Sequence, residues 1–268
     1  MIGDQMHIVV CVKQTSSASN LAAGSAVGSA RATMNPFDEY ALEEAVRIKE
    51  RSGGKAVVCV ITMGAAAATE TLRDAIARGA DNAALLSSPS FDGSDAYATS
   101  YLLSKAVEKL GKERGPVDLV LFGKQTNDSD AGQVGPGVAA WLDWPNATYV
   151  KKLESTGAGR VTVARAMEDG VDTIELTLPA TVSVIKEINE PRLASLKGKM
   201  ASKKAEIPVW GPGELAAEAG RYGKAGAKLS MGPLKEPPAR VGGFKVAGAT
   251  AQEKAVNLVA KLKEMKLV

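Results

Sequence analysis

The chain has 268 residues, of which 45% are hydrophobic and 24% are charged, and its formal net charge at pH 7 is +3. That composition is typical of a globular protein, and so small a net charge gives no reason to expect nucleic-acid binding. The sequence holds one histidine, His7, at the start of an apolar run. A histidine-based metal site or a Ser-His-Asp triad is therefore nearly excluded, and we expect neither a catalytic residue nor a metal.

The cysteines and the lengths of the apolar runs predict the cellular compartment of the protein. Cys11 and Cys59 lie within the runs IVVCVK and AVVCVI, which indicates small core residues, not a disulfide, and fits a reducing compartment. No run reaches the roughly 18 to 20 apolar residues that span a bilayer, and the first residues carry no signal pattern. We therefore predict a cytoplasmic protein without a membrane span.

The first 142 residues alternate between strand and helix patterns. The predicted strands are residues 7–12, 55–62, 83–86 and 117–122, and the predicted helices are 36–50, 66–78, a helix from Ser94 or Asp95 to about 110, and 131–142. Asn35-Pro36 marks a helix start, and Gly79 marks a helix end. Four successive strand–helix units predict a doubly wound, mostly parallel sheet. Such sheets bind ligands at the carboxyl ends of their strands, so the loops after the first, second and fourth strands form the candidate site.

The pattern changes from residue 147 onward. Shorter strands are predicted at 149–154, 160–167 and 172–177, and LPATVSVI is predicted as one more buried strand. Residues 189–245 are rich in Pro, Gly, Lys and Ala, show little periodicity and are too long for an ordinary loop. They predict a disordered segment or an arm around another protein, followed by a last helix at about 251–265. We therefore expect an α/β domain at 1–188, with a small β extension, and a second region at 189–268.

The stretch GKQTNDSDAGQVGP, residues 123–136, is a glycine-rich turn after a buried strand. Its spacing matches neither GxGxxG nor GxxxxGK[ST], and the turn is acidic. Its backbone N–H groups and the adjoining helix N-terminus would suit phosphates and adenine edges. We predict that Asp130 caps a helix from Ala131, so that its carboxylate repels a phosphate little, and that Ala131 and Gly132 leave room for a ligand.

The stretch NEPRLASLKGKMASKK, residues 189–204, carries apolar residues among basic ones. Leu193, Leu196 and Met200 recur at intervals of three and four. One interpretation is a small amphipathic helix packed on its own sheet. The other is an exposed apolar anchor rimmed by charge, which is the anatomy of a docking surface. Nucleic-acid binding is a weaker alternative, because no aromatic residues interleave the basic ones.

Several stretches spread over essentially the whole chain fit one family pattern. They are MHIVVCVKQ, MNPFDEYALEEAVRIKE, ITMG, RGAD, VDLVLFGKQTNDSDAGQVGP, WLDWP, LPATVSVIKEINEPRLASLKGKMASKK and VAKLKEM. Together they resemble the electron-transfer flavoprotein β-subunit, and NEPRxxSLxGxM is the most specific of them.

The resemblance implies an adenine-nucleotide-hydrolase-like α/β fold and an obligate heterodimer with an α-subunit. FAD held mainly by the α-subunit would carry electrons one at a time between a flavin dehydrogenase, such as an acyl-CoA dehydrogenase, and another redox partner. The chain would then be an electron carrier without bond-making chemistry of its own. It would hold AMP or, in bifurcating members, a second FAD that NADH reduces, with ferredoxin or flavodoxin as a further partner.

The resemblance also implies two sets of binding residues. The nucleotide contacts would be Cys11, Asn35, Pro36, Phe37, Asp38, Met63, Gly123, Lys124, Gln125, Thr126, Asn127, Asp128, Ser129, Asp130, Ala131, Gly132, Gln133 and Val134. The partner-recognition loop would be Pro191, Arg192, Leu193, Ala194, Ser195, Leu196, Lys197, Gly198, Lys199 and Met200. Leu196 would be the apolar anchor of that loop, and the arm beyond it would embrace the α-subunit.

Two questions stay open at the level of sequence. DSDAGQVGP resembles bifurcating members, but the VPDT element that commonly follows VKQ in them is absent, so AMP and a second FAD both remain. Without the resemblance, the residues would also fit a stand-alone adenine-nucleotide-binding regulatory module of the universal-stress type. A nucleotide hydrolase or ligase would need a metal-binding or phosphate-binding motif, which the sequence lacks.

Overall fold

The computed structural model describes residues 5–16, 32–230, 232 and 243–268. Contacts divide the chain into two compact units, Met1–Ser230 and Met231–Val268. In the first unit the strands are β1 Met6–Cys11, β2 Gln14–Ser16, β3 Ala32–Met34, β4 Ala56–Met63, β5 Asn82–Leu86, β6 Leu119–Gly123, β7 Asn146–Gly157, β8 Arg160–Ala166, β9 Val171–Thr177, β10 Ala180–Val184 and β11 Val209–Trp210. Its helices are α1 Pro36–Arg51, α2 Thr69–Arg78, α3 Ala96–Arg114, α4 Val134–Leu142, α5 Leu196–Lys204 and α6 Gly223–Gly226.

The main sheet has the predicted α/β organisation. Within the described residues its strand order is β11-β5-β4-β1-β6-β10-β7-β8-β9, parallel from β11 to β7 and antiparallel at β8 and β9. Buried residues of α1 and α2 pack with one face of this sheet, and those of α3 and α4 pack with the other face. The predicted mostly parallel sheet with helices on both faces is therefore confirmed.

Local sequence signals account for most element boundaries. The buried runs IVVC, VCVI and LVLF form the centres of β1, β4 and β6 because both faces of these strands are covered. Asp95 begins α3, and its carboxylate accepts a hydrogen bond of 2.9 Å from the Ala98 N–H. Gly79 ends α2 with a φ of 127°, which a residue with a side chain rarely adopts. The predicted helix at 66–78 begins with a 3₁₀ turn at Ala66–Ala68.

Residues 189–230 pack on the α/β unit, whereas the sequence predicts a boundary at 188. Strand β11 extends the sheet beside β5, and Trp210 and Leu215 are buried. The Tyr101 hydroxyl of α3 accepts a hydrogen bond of 2.9 Å from the Glu218 N–H. The sequence does not indicate this packing, because the buried residues are too few and too widely spaced to give a period.

The second unit contains the last helix, α7 Ala251–Glu264. The Thr250 hydroxyl begins it by accepting a hydrogen bond of 3.2 Å from the Glu253 N–H. No residue of α7 is buried within the unit. Residues 233–242 of the predicted arm lie outside the described residues. In the part of the chain that the structure describes, no helix is long and apolar enough to cross a membrane.

Candidate functional site

The carboxyl ends of β1, β4 and β6 meet at one edge of the sheet. Strand β1 lies between the other two, and Cys11 is in register with Ile61 of β4 and Phe122 of β6. The chain order runs outward from β1 in both directions, which makes β1 and β6 the switch point at which such sheets bind ligands. The loops chosen from the sequence therefore share one edge, as predicted.

Asn35 holds the loop after β6 against the start of α1. It is completely buried, and its Nδ2 donates a hydrogen bond of 2.9 Å to the Gln125 carbonyl. Its Oδ1 accepts one of 3.2 Å from the Asn127 N–H. Asn35 thus occupies the N-cap position without making a side-chain cap bond to α1. Its side chain joins two segments about ninety residues apart in sequence.

Gly123 allows β6 to reach the first turn of α1. A Cβ at this position would lie 2.5 Å from Asp38 Oδ1 and 2.6 Å from the Phe37 carbonyl carbon. The Phe37 carbonyl carbon belongs to the backbone and cannot move without shifting the helix start, so the contact requires glycine. The first turn of α1 and the end of β6 are therefore in direct backbone contact.

Asp38 links the start of α1 to the loop after β1. Its buried Oδ2 accepts a hydrogen bond of 2.7 Å from the Lys13 N–H. Burial raises the pKa of the Asp38 carboxyl to about 7, although the hydrogen bond from Lys13 opposes this shift. Because its carboxyl is directed into the protein, Asp38 acts on the site by positioning loops.

The acidic side chains of the loop after β6 are paired within the protein. Lys13 Nζ lies 2.7 Å from Asp128 Oδ2. Burial alone would raise the pKa of Asp128, but hydrogen bonds from Lys13 and Thr126, together with the charge of Lys13, outweigh it and the pKa is lowered. Asp130 Oδ1 accepts a hydrogen bond of 2.7 Å from Gln125 Nε2. These contacts reduce the repulsion that an anionic ligand would meet.

The prediction that Asp130 caps a helix from Ala131 is wrong. Helix α4 begins at Val134, and the N-cap residue is Gln133, which makes no side-chain cap bond. Asp130 has a φ of 51° and Gly132 a φ of 61°, so the chain turns through left-handed conformations where the sequence predicts a helix. The loop is three residues longer than predicted because these conformations cannot continue a helix.

Two polar features of this edge are available to a ligand. Among the described residues, Asn127 Oδ1 is buried without a hydrogen-bond partner, and an amino or hydroxyl group of a ligand could donate to it. Since Gln133 does not cap α4, the first N–H groups of that helix can receive a phosphate. The described residues contain no cluster of His, Cys, Asp or Glu that could hold a metal ion.

Other implied nucleotide contacts lie farther from these groups. Cys11 is buried and Met63 is half-buried, and both side chains pack in the apolar layer under α3. The side chain of Cys11 is thereby kept from a ligand at the edge, whereas Met63 keeps an exposed part. The hydroxyls of Thr126 and Ser129 hydrogen-bond each other at 2.8 Å. Pro36 is exposed at the start of α1, and Phe37 is half-buried beside it.

Sequence reasoning missed Tyr149, whose ring lies beside Lys124 together with that of Phe37. Lys124 Nζ lies 5.5 Å from the centre of the Phe37 ring and 5.6 Å from that of Tyr149. Tyr149 has a φ of 57° at a register shift between β7 and β10. This shift could have been found only from the pairing of the strands, because no local motif marks it.

The implied recognition loop presents its apolar side chains to solvent. Leu193, Leu196 and Met200 are 89%, 77% and 62% exposed, so they do not pack on the chain's own sheet. Helix α5 begins at Leu196, with Ser195 Oγ accepting a hydrogen bond of 2.9 Å from the Gly198 N–H. Further residues of the loop differ in exposure: Lys197 and Lys199 are exposed, and Pro191, Arg192, Ala194 and Gly198 are half-buried.

Comparisons with known proteins identify the family of the chain. The electron transfer flavoprotein domain matches residues 24–215. The chain is 41% identical over 230 residues to the electron transfer flavoprotein subunit beta of Thermoanaerobacterium thermosaccharolyticum, covering 85% of both chains. It is 36% identical over 268 residues to the caffeyl-CoA reductase-Etf complex subunit CarD of Acetobacterium woodii, covering 98% of this chain and 100% of that one. It is 38% identical over 233 residues to the human electron transfer flavoprotein subunit beta, covering 87% and 85%. The chain therefore belongs to the electron transfer flavoprotein β-subunit family.

Proposed function

We propose that this chain is the β-subunit of a heterodimeric electron-transfer flavoprotein that carries electrons from a flavin dehydrogenase to a second redox partner. The observation that carries the proposal is the meeting of the loops after β1 and β6 at the start of α1. There Asn35, Asp38 and Gly123 hold the loops of this edge in place. Family membership supports the involvement of a flavin.

This edge would hold an adenine nucleotide, either AMP or a second FAD. A bound FAD would supply one-electron and two-electron redox chemistry. The first N–H groups of α4 would receive phosphate oxygens, and Asn127 Oδ1 would accept a hydrogen bond from the ligand. Lys13 would lie beside the phosphates, with Asp128 as its partner within the protein. Cys11 would contribute backbone contacts only, because its side chain is buried.

The segment Pro191–Met200 would dock the dehydrogenase. Exposed apolar side chains rimmed by Lys197 and Lys199 match an apolar pocket with an acidic rim on the partner. The name of the Acetobacterium woodii relative, a subunit of a caffeyl-CoA reductase-Etf complex, supports a dehydrogenase that acts on a CoA thioester. Residues beyond Ser230 would embrace the α-subunit.

Cofactor content is the direct test of the proposal. The chain would be co-expressed with an electron-transfer flavoprotein α-subunit of the same organism, and flavin and AMP would be counted per purified heterodimer. One FAD with one AMP identifies the simple carrier. Two FAD, with bleaching of flavin absorbance by NADH, identifies a bifurcating form whose low-potential acceptor would be ferredoxin or flavodoxin. A stable, flavin-free monomer that binds adenine nucleotide alone would contradict the proposal.

Substitution of Leu196 tests the docking surface. Because Leu196 is exposed, Leu196→Ala should leave the melting temperature unchanged. It should weaken docking of a reduced acyl-CoA dehydrogenase by roughly tenfold or more, the range for an interface hot spot. The control is Leu229→Ala, since Leu229 is 71% exposed outside this segment. Normal electron transfer by a Leu196→Ala variant that melts several degrees lower would show that Leu196 supports the fold instead.

A further inference from the structure

The guanidinium of Arg192 lies against α1, although the resemblance places this residue in the docking loop. Its Nε lies 2.7 Å from Glu43 Oε2, and its Nη2 lies 3.0 Å from Glu43 Oε1. Its Nη1 and Nη2 lie 2.6 and 2.9 Å from the two carboxylate oxygens of Glu50. These four hydrogen bonds use nearly all the N–H groups of the guanidinium, so little capacity is left for a partner protein.

The backbone on both sides of Arg192 is also tied down. The Arg192 N–H donates a hydrogen bond of 3.1 Å to Glu43 Oε2, and its carbonyl accepts one of 3.3 Å from Arg78 Nη1 of α2. Three residues earlier, Asn189 Nδ2 donates to the Tyr40 carbonyl of α1 at 3.0 Å. The segment is therefore held between α1 and α2 immediately before its exposed leucines.

Polar contacts hold the part of the segment that precedes α5, and Gly198 of α5 packs closely on Ala77 of α2. Residues 189–195 form no helix or strand, and Ser202 is the buried residue of α5. Burial would raise the pKa of Glu43, but the hydrogen bonds from Arg192 and Arg47, together with the charge of Arg192, outweigh it and lower the pKa. Hydrogen bonding from Arg192 also lowers the pKa of Glu50. Both carboxylates therefore remain charged partners of Arg192 at neutral pH.

We infer that Arg192 is a positioning residue, which uses Glu43 and Glu50 of α1 to hold the segment Pro191–Met200 in its docking conformation before a partner arrives. The inference rests on the proposed docking role of that segment. A loosely held segment would have to be ordered during docking, at a cost in affinity for each side chain immobilised. Bidentate Arg–carboxylate pairs restrict this freedom more than a lysine could, since the guanidinium fork matches two oxygens at once.

Two single substitutions separate this role from direct partner contact. Arg192→Gln removes a positive charge and Glu50→Gln removes a negative one. If charge steering alone mattered, the two variants would change the docking rate of an acidic partner in opposite directions. If Arg192 positions the segment, both variants should raise amide hydrogen exchange across residues 193–200 and weaken docking by about three- to tenfold. Arg192→Lys should retain part of the docking affinity that Arg192→Gln loses.

The measurements use the holo heterodimer with the acyl-CoA dehydrogenase of the same organism that reduces the wild-type protein. The KM for the dehydrogenase should rise while the rate at saturation stays within about twofold. Arg160→Gln is the matched control, because Arg160 pairs with Glu175 on the surface of β8 and β9. Glu50 is exposed, so Glu50→Gln should fold and still tests the positioning role if Arg192→Gln fails to fold.

Three outcomes would overturn the inference. Slower docking with unchanged exchange would make Arg192 a direct contact. Raised exchange with unchanged docking would make the contact purely structural. Opposite effects of Arg192→Gln and Glu50→Gln on docking would mean that charge steering alone explains the role of Arg192. Failure of every acyl-CoA dehydrogenase to reduce the wild-type heterodimer would instead contradict the proposed function. The hydrogen-exchange data would still show whether Arg192 holds the segment.

Discussion

At the scale of single residues, Gly123 is the position where the candidate nucleotide site depends most on the absence of a side chain. In Gly123→Ala the new Cβ would overlap backbone and carboxylate atoms at the start of α1, so the helix or strand must shift. Overpacking of this kind typically costs about 1–3 kcal/mol. We expect a loss of that size in urea denaturation, together with weaker nucleotide retention.

A matched glycine shows whether the effect comes from that contact. A Cβ at Gly170 would meet nothing within 4 Å, and Gly170→Ala should therefore leave stability within about 0.5 kcal/mol of the wild type. Equal losses in both variants would contradict the close approach at Gly123.

Asp38 should impose a pH dependence on stability. Burial raises its pKa to about 7 in the folded protein, whereas an aspartate in the unfolded chain titrates near 3.9. The folded state then binds more protons between these values, so the contribution of Asp38 to stability is fully present below about pH 4 and is lost as the pH rises through about 7. Asp38→Asn should remove this slope, which is at most about 1.4 kcal/mol per pH unit. Urea titrations of both proteins between about pH 5 and 8 test it, and parallel slopes would contradict it.

The residues predicted well from sequence are those whose roles are local. The predictions for Asp95 and Gly79 are confirmed because a helix start and a left-handed end depend on a few neighbouring residues. The prediction for Asp130 is wrong because positive φ at Asp130 and Gly132 delays the helix. The bridging role of Asn35 depends on a partner about ninety residues away, which no local pattern can indicate.

At the scale of elements, the packing of residues 206–230 can be tested with a pair of leucines. Leu215 is buried and Leu229 is 71% exposed. If this stretch belongs to the core, Leu215→Ala should cost about 2–5 kcal/mol, as buried leucines do. Leu229→Ala should change stability by no more than about 0.5 kcal/mol. Denaturant titration of the two variants checks this, and a neutral Leu215→Ala would mean that the stretch only lies on the surface.

The strands were predictable because burial on both faces leaves long apolar runs, and β1, β4 and β6 agree with prediction within about two residues. The short strand β11 could not be predicted, because two residues are too few for a pattern and its pairing with β5 is set by the sheet edge. The implied nucleotide and docking residues remain predictions, since nothing in their geometry identifies a bound partner.

At the scale of the whole unit, α1 joins both candidate surfaces. Its first turn contacts the loops after β1 and β6, and Glu43 and Glu50 farther along the same helix hold the docking segment. A rigid helix with bonds at both places fixes the two surfaces relative to each other. This arrangement would let the chain present a dehydrogenase at a constant distance from its nucleotide edge.

The two compact units predict different consequences for two truncations. Among the described residues beyond 230, none is buried, so a chain ending at Ser230 should keep its melting temperature within about 3 °C, the shift expected for a change of less than 1 kcal/mol. A chain ending at Ile188 loses buried Trp210 and Leu215 and should fail to fold.

If the region beyond Ser230 embraces the α-subunit, the chain ending at Ser230 should also lose heterodimer formation in gel filtration. Calorimetry and gel filtration of both truncations test the two statements separately. A melting temperature more than about 10 °C lower for the chain ending at Ser230 would show that the second unit stabilises the first, and a heterodimer that survives its removal would place the main α-subunit contacts on the α/β unit.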